Sequence, residues 1–148
     1  YDLDPVSTPT WRTRRLYQAD RLLQLYGFTP EEITPADAPL LDEELDPKLA
    51  WAMRNIHLFP VEINKADYDT LLRVPGIGVI YAKKILRARR YGTITHETLR
   101  RIGVSLKRSI YFITCNGKYA GGAAVDRPDR LRMLLGTPST PVYEQLSF

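Results

Sequence analysis

The run Val74-Pro75-Gly76-Ile77-Gly78 sets two glycines around one apolar residue, directly behind a proline and a few positions ahead of Lys83 and Lys84. Pro75 ends any helix before it, because the residue preceding a proline is pushed out of the α region. Gly76 and Gly78 permit backbone angles and close approaches that a Cβ hinders. A helix opening near Val79 has first amides without partners inside the helix, and its dipole places partial positive charge there. Beside two positions without side chains, that helix start therefore suits an anionic oxygen. Lys83, Lys84 and Arg87 follow one to two turns on with full charges. Such a site takes a phosphate without reading a base. The same turn would serve equally for packing or for a protein contact.

The flanking residues predict the elements that hold this turn. Asn64 can cap a helix over Lys65–Arg73, with Asp67 favourable in its first turn and Ile63 and Tyr68 placed as a hydrophobic staple. A second helix is expected from Val79 to Arg90, stopped by Gly92, with small Ala82 against the first helix. Leu71, Leu72, Ile85 and Leu86 supply the apolar contact. A shift of 27 residues repeats the pattern in weaker form: Leu99, Ile102-Gly103-Val104-Ser105, Ser109 and Phe112 stand where Leu72, Pro75-Gly76-Ile77-Gly78, Ala82 and Ile85 stood. Gly103, Val104 and Ser105 would form a second anion site with Lys107 and Arg108 as its charges, or the repeat would be structural only.

Towards the N-terminus, residues 1–9 read as a linker with two prolines. A helix is expected from Thr10 to Tyr26, stopped by Gly27, with Leu16, Ala19, Leu23 and Tyr26 inward and Arg12, Arg14, Arg15 and Arg21 outward. Thr29-Pro30-Glu31-Glu32 carries a capping box with proline at the first helical position, and Pro35 keeps that helix short. Asp46-Pro47 opens another helix, and Pro60 breaks the chain before the central unit. Tyr111–Thr114 is assigned to a helix end. Arg127–Leu135 reads as a last helix, and the tail after it as extended. This divides the chain into linker 1–9, helical extension 10–60, central unit 61–120, and helix plus tail 121–148. The first residue, Tyr1, reads as the start of a piece of a longer protein.

Charge is uneven along the chain. Residues 31–60 hold seven acidic residues against two basic ones, whereas residues 61–120 hold twelve Lys/Arg against four Asp/Glu. The basic half points to a polyanion, or to a solvated face. Asp42 to Asp46 could pair with basic surface in the same protein. The single cysteine, Cys115, makes an internal disulfide impossible, and His57 and His96 stand too far from it in sequence for a zinc motif. A small buried thiol is the expectation, as is a reducing, cytoplasmic setting. No apolar run approaches the roughly 20 residues that span a bilayer, so no membrane partner is expected.

The stretch Leu72-x-x-Pro75-Gly76-Ile77-Gly78-x-x-x-Ala82-x-x-Ile85 resembles the helix-hairpin-helix family of non-sequence-specific DNA binders without a departure. The resemblance implies an all-α fold: a tandem helix-hairpin-helix unit, one copy intact and one degenerate, with an N-terminal helical extension. It implies DNA as partner, phosphate on the amides of Gly76, Gly78 and Val79 around Ile77 with Lys83 alongside, and doubled hairpins packed about a pseudo-twofold axis. Some relatives hold a monovalent cation on hairpin carbonyls, which would correspond to Leu72, Val74 and Ile77 here.

A wider likeness covers most of residues 12–120. Arg15-Leu16-Tyr17-Gln18-Ala19-Asp20, Leu25-Tyr26-Gly27-Phe28, Asp46–Ala52, Phe59–Ala66 and Arg108–Cys115 are similar to the C-terminal region of a bacterial family of radical-SAM proteins assigned to DNA modification or repair. That family implies an iron–sulfur cluster and S-adenosylmethionine in an upstream domain, and a neighbouring uracil-DNA-glycosylase-like protein. With one cysteine, this chain cannot itself supply the three-cysteine cluster motif, so it is expected to be a non-catalytic part of such an enzyme.

Gln145, Leu146 and Phe148 are similar to the bacterial sliding-clamp-binding peptide, one residue short of it. Two other classes remain. A DNA glycosylase of the hairpin type would need a carboxylate where Ile94 stands, with Glu97 merely nearby and His96 on the surface beside the Thr95 cap. A protein-interaction module would use the acidic stretch and the tail.

Overall fold

The computed structural model describes residues 11–35 and 46–122. Within them the chain is mostly helical, with seven α-helices, one 3-10 turn and two strands of two residues each. The expected linker 1–9, the acidic residues 37 and 42–44, the helix at 127–135 and the tail with Gln145, Leu146 and Phe148 lie outside the described residues.

Helix α1 (Trp11–Leu25) ends where expected. Gly27 adopts φ +71°, and the amide of Phe28 returns to the Leu22 carbonyl at 3.1 Å, a left-handed cap that satisfies an orphan helix carbonyl. Its inward face differs from the expectation. Arg15, Gln18, Ala19, Leu22 and Tyr26 are buried, while Leu16 and Leu23 are 57% and 41% exposed. Gln18 accepts from the Arg15 guanidinium at 2.9 Å, and that bond lets a charged residue occupy the inner face. Helix α2 (Pro30–Ile33) carries the full capping box on Thr29 and Glu32.

Helix α3 (Pro47–Arg54) is capped by the Asp46 carboxylate, which accepts from the Leu49 amide at 2.8 Å. Six consecutive residues from Pro47 to Ala52 are buried. After Pro60 comes β1 (Val61–Glu62), paired in parallel with β2 (Ile113–Thr114) through Val61↔Ile113 and Glu62↔Thr114. This corrects the helix end expected at Tyr111–Thr114. Two residues per strand are too few for alternation to show in a sequence.

Helix α4 (Tyr68–Arg73) starts three residues later than expected and is capped by Asp67, not Asn64. The staple of Ile63 with Tyr68 therefore loses its positions. Asn64 instead grips the backbone of Ile94, accepting from its amide at 2.7 Å and donating to its carbonyl at 3.0 Å. Helices α5 (Val79–Ala88), α6 (His96–Ile102) and α7 (Leu106–Ser109) complete the order.

One apolar core joins all of this. Leu22 and Tyr26 of α1, Leu49 and Trp51 of α3, Leu71 and Ile85 of the central helices, and Phe112 belong to a single buried cluster. Phe28, Trp51, Phe59 and Phe112 meet edge to face in series, with centroids 5.5, 6.2 and 5.2 Å apart. The division expected at residue 60 is therefore not a gap in the packing.

Candidate nucleic-acid interface

The first turn has the geometry that its residues dictate. The Ile77 amide donates to the Val74 carbonyl at 3.1 Å, with Pro75 and Gly76 as central residues and Gly76 at φ +92°. Proline followed by a residue of positive φ is the signature of a type II turn. Gly78 is the N-cap of α5, in extended backbone and without a side-chain cap bond.

The second turn reaches a similar end by another route. Gly103 takes φ +107° as the cap of α6, and the amides of Gly103 and Val104 both return to the Leu99 carbonyl, at 3.2 and 3.0 Å. Ser105 then caps α7 without a side-chain bond. The paired positions match in burial: Ile77 with Val104, Ala82 with Ser109, Ile85 with Phe112. Ser109 meets the cost of its buried hydroxyl by donating to the Ser105 carbonyl at 2.9 Å.

The two turns also meet each other. A Cβ at Gly76 would stand 3.3 Å from both the Cβ and the amide nitrogen of Ser109 and 3.4 Å from the Ser105 carbonyl. A Cβ at Gly103 would stand 3.4 Å from the Tyr81 ring. Each glycine thus faces the helix that follows the other turn.

That contact revises the expected anion cradle. Gly76 and Gly78 are buried, so neither is an open surface for an oxygen. The Tyr26 hydroxyl lies beside the Val79 amide and the Arg21 guanidinium, and burial raises its pKa. The Ile77 amide is used in its own turn. What remains exposed lies further along: Ile80, Lys83, Lys84 and Arg87 on α5, Arg90 beyond it, and Gly103, Ser105 and Lys107 at the second turn, where Val104 is buried.

The carbonyl of Ile77 already has a cation. The Lys48 ammonium, 0% exposed, donates to it at 2.6 Å and lies 4.8 Å from the Tyr26 ring centroid. Burial lowers the Lys48 pKa well below the usual range, against the pull of Asp46. A monovalent cation at the Leu72, Val74 and Ile77 carbonyls would have to compete with Lys48 Nζ for the Ile77 oxygen. Arg108, expected as a charge of the second site, is ion-paired with buried Asp46. Its charge is matched inside the fold, leaving Lys107 as the exposed cation of that pair.

Two more of the central arginines are structural. Arg73 binds Glu32 at 2.5 and 3.2 Å and stacks 3.9 Å from the Phe28 ring centroid. Burial would raise the Glu32 pKa, but Arg73 and the Thr29 amide outweigh it and lower it. Arg89 donates to the carbonyls of Ile63 and Ala66 at 3.1 and 2.6 Å.

Elsewhere, Ile94 is wholly buried where a glycosylase would carry its carboxylate. Glu97 is exposed and pairs with Arg100 at 3.0 Å. His96 is half-buried at the start of α6, deeper than the surface position expected. Cys115 is buried, and burial together with the Glu62 charge raises its thiol to about 11. Among the described residues, no group of three His, Cys, Asp or Glu could hold a metal, and no helix is long and apolar enough to cross a membrane.

Sequence reasoning placed Tyr26 inward, as found, but missed Lys48 and Glu62. Lys48 had a signal: it is the one charge in the run Pro47–Ala52, whose apolar residues cover every side of a helix and so announce burial. Glu62 had none. Its carboxylate gathers the amide of neighbouring Asn64 and, from residues more than fifty positions on, the Asn116 and Gly117 amides and the Thr114 hydroxyl.

No family model, curated protein or solved structure matches the chain.

Proposed function

We propose that this chain binds DNA through the sugar-phosphate backbone, without reading sequence, using a tandem helix-hairpin-helix unit. One observation carries the reading: two glycine turns 27 residues apart, each with a left-handed glycine facing the helix behind the other, and each followed by exposed lysine. The pairing sets Lys83, Lys84 and Arg87 of α5 and Lys107 of α7 on one compact unit. Phosphates are held by these cations, not by the buried glycines.

The resemblance of the wider sequence supports a place for this unit: the DNA-targeting C-terminal part of a radical-SAM protein of DNA modification or repair. The iron–sulfur cluster and S-adenosylmethionine would then belong to an upstream domain, with a uracil-DNA-glycosylase-like protein and the sliding clamp as further partners. This chain would supply binding and no catalysis.

The test is fluorescence anisotropy of labelled DNA across a salt series. Neutralising about five phosphates gives a slope of log affinity on log salt near −4 to −5, and Lys83→Ala should reduce its magnitude by roughly one for all sequences alike. A sequence preference that changes while the slope stays constant would refute backbone recognition. One observation favours a second reading, as a protein-interaction module: Leu16, Tyr17, Leu23 and Leu25 are all more than two-fifths exposed on α1. In that case DNA binding with a salt slope is absent.

A further inference from the structure

We propose that the exposed face of α5 takes single-stranded DNA, with the Tyr91 ring stacked on an unpaired base. This rests on the DNA reading above and adds the state of the nucleic acid.

Residues 70–96 contain no Asp or Glu, and the exposed positions of their helix carry Lys83, Lys84, Arg87 and Arg90. Two large apolar side chains stand out in water on the same stretch, Ile80 at 67% and Tyr91 at 88% exposure. Positions 80, 83, 84 and 87 recur at helical spacing and so line one face of α5. The backbone keeps its turn past the end of α5, since the Tyr91 amide donates to the Ala88 carbonyl at 3.0 Å. Ile80 stands before this run of cations and Tyr91 directly after it.

Duplex DNA buries the faces of its bases and shows a protein mainly phosphates and groove edges, for which lysine and arginine suffice. The Tyr91 hydroxyl can donate to a duplex phosphate, but the exposed face of its ring has no counterpart on that surface. An unpaired base offers one, an apolar π face of similar size, and stacking on it is indifferent to base identity. Recognition thus stays independent of sequence. Tyr81 does not compete for this role: it is half-buried, faces Gly103, and has the Lys84 ammonium 5.6 Å from its ring centroid.

The experiment titrates the full chain and its Tyr91→Ser and Tyr91→Phe variants with three probes: a mixed-sequence single strand, its duplex, and a strand of equal length made of abasic sites. Tyr91→Ser should weaken the single strand about five- to a hundredfold, leave the salt slope unchanged, and leave the duplex and abasic strand nearly unaffected. Tyr91→Phe should bind as the parent does. Equal affinity of Tyr91→Ser and parent for the single strand overturns the inference, as does an equal loss on the abasic strand. In either case a slope that still responds to Lys83→Ala keeps the backbone reading, whereas no salt-dependent binding of any probe removes both.

Discussion

Gly76 is buried against the second turn, and three glycine-to-alanine substitutions measure what that contact is worth. At Gly92 an added Cβ meets nothing within 4 Å and the backbone angle is ordinary. Gly92→Ala should be neutral or stabilising by up to about 1 kcal/mol, through the unfolded chain. At Gly27 the added Cβ again meets nothing, but φ is +71°. Gly27→Ala should cost about 1 kcal/mol for the left-handed conformation alone. At Gly76 both terms act, with φ at +92° and a Cβ 3.3 Å from Ser109. Ser109 is 0% exposed, and two of the three nearest atoms are backbone, so the neighbour cannot swing aside. Overpacking of this kind adds about 1–3 kcal/mol, for a total of about 2–4 kcal/mol. Urea unfolding followed by circular dichroism gives the order through the midpoint, provided m is constant. If Gly76→Ala were no more destabilising than Gly27→Ala, the two turns would not be in contact and the paired arrangement would be wrong.

Glu62 offers a pH test. Burial would raise its carboxyl, but the amides of Asn64, Gly117 and Asn116 lower it to about 2 from an ordinary 4.5. A depressed acid contributes stability above its unfolded pKa and loses it as pH falls through the folded one. Glu62→Gln should thus cost about 2 kcal/mol at neutral pH, after allowance for partial exposure, and this deficit should vanish between pH 4.5 and 2 in thermal melts; a deficit constant across that window would count against the amide cluster. Arg73→Lys should destabilise by about 2 kcal/mol, since an ammonium cannot reproduce the fork on Glu32 or the stack on Phe28; an unchanged urea midpoint would deny Arg73 its structural role. The Cys115 thiol should resist iodoacetamide at pH 8 in the folded protein and react on unfolding, because burial raises it to about 11. Rapid native labelling would contradict that burial.

Local rules made much of this molecule legible. Thr29, Pro30 and Glu32 announce a capping box by type and spacing, Asp46-Pro47 opens a helix, and Gly27 closes one. Each of these depends on residues within a few positions of one another. The turn at Pro75-Gly76 is equally local, and the repeat at Gly103 could be found by a shift of 27 residues. What a sequence withholds is who lies opposite. Arg15 was expected in water because its type is charged, yet Gln18 draws it inward. Asn64 looked like a cap for the helix beside it and instead holds Ile94. Gly76 and Gly78 looked like an opening for phosphate because glycine permits approach, but the residue type does not say which group approaches. For Gly76 it is Ser109. The strands at Val61 and Ile113 are set by a pairing across some fifty residues, which no period inside either strand encodes.

Helix α3 gives the two turns a shared fastening. Its opening residues reach both ways: the Lys48 ammonium to the Ile77 carbonyl at 2.6 Å, and the Asp46 carboxylate to Arg108. The glycine pair is consequently not a portable cassette. Excised at residue 61, it would lose the donor to the Ile77 carbonyl and the counterion of Arg108. Anyone wishing to transplant this pair of turns onto another scaffold must carry the preceding helix with it, from Asp46 onward.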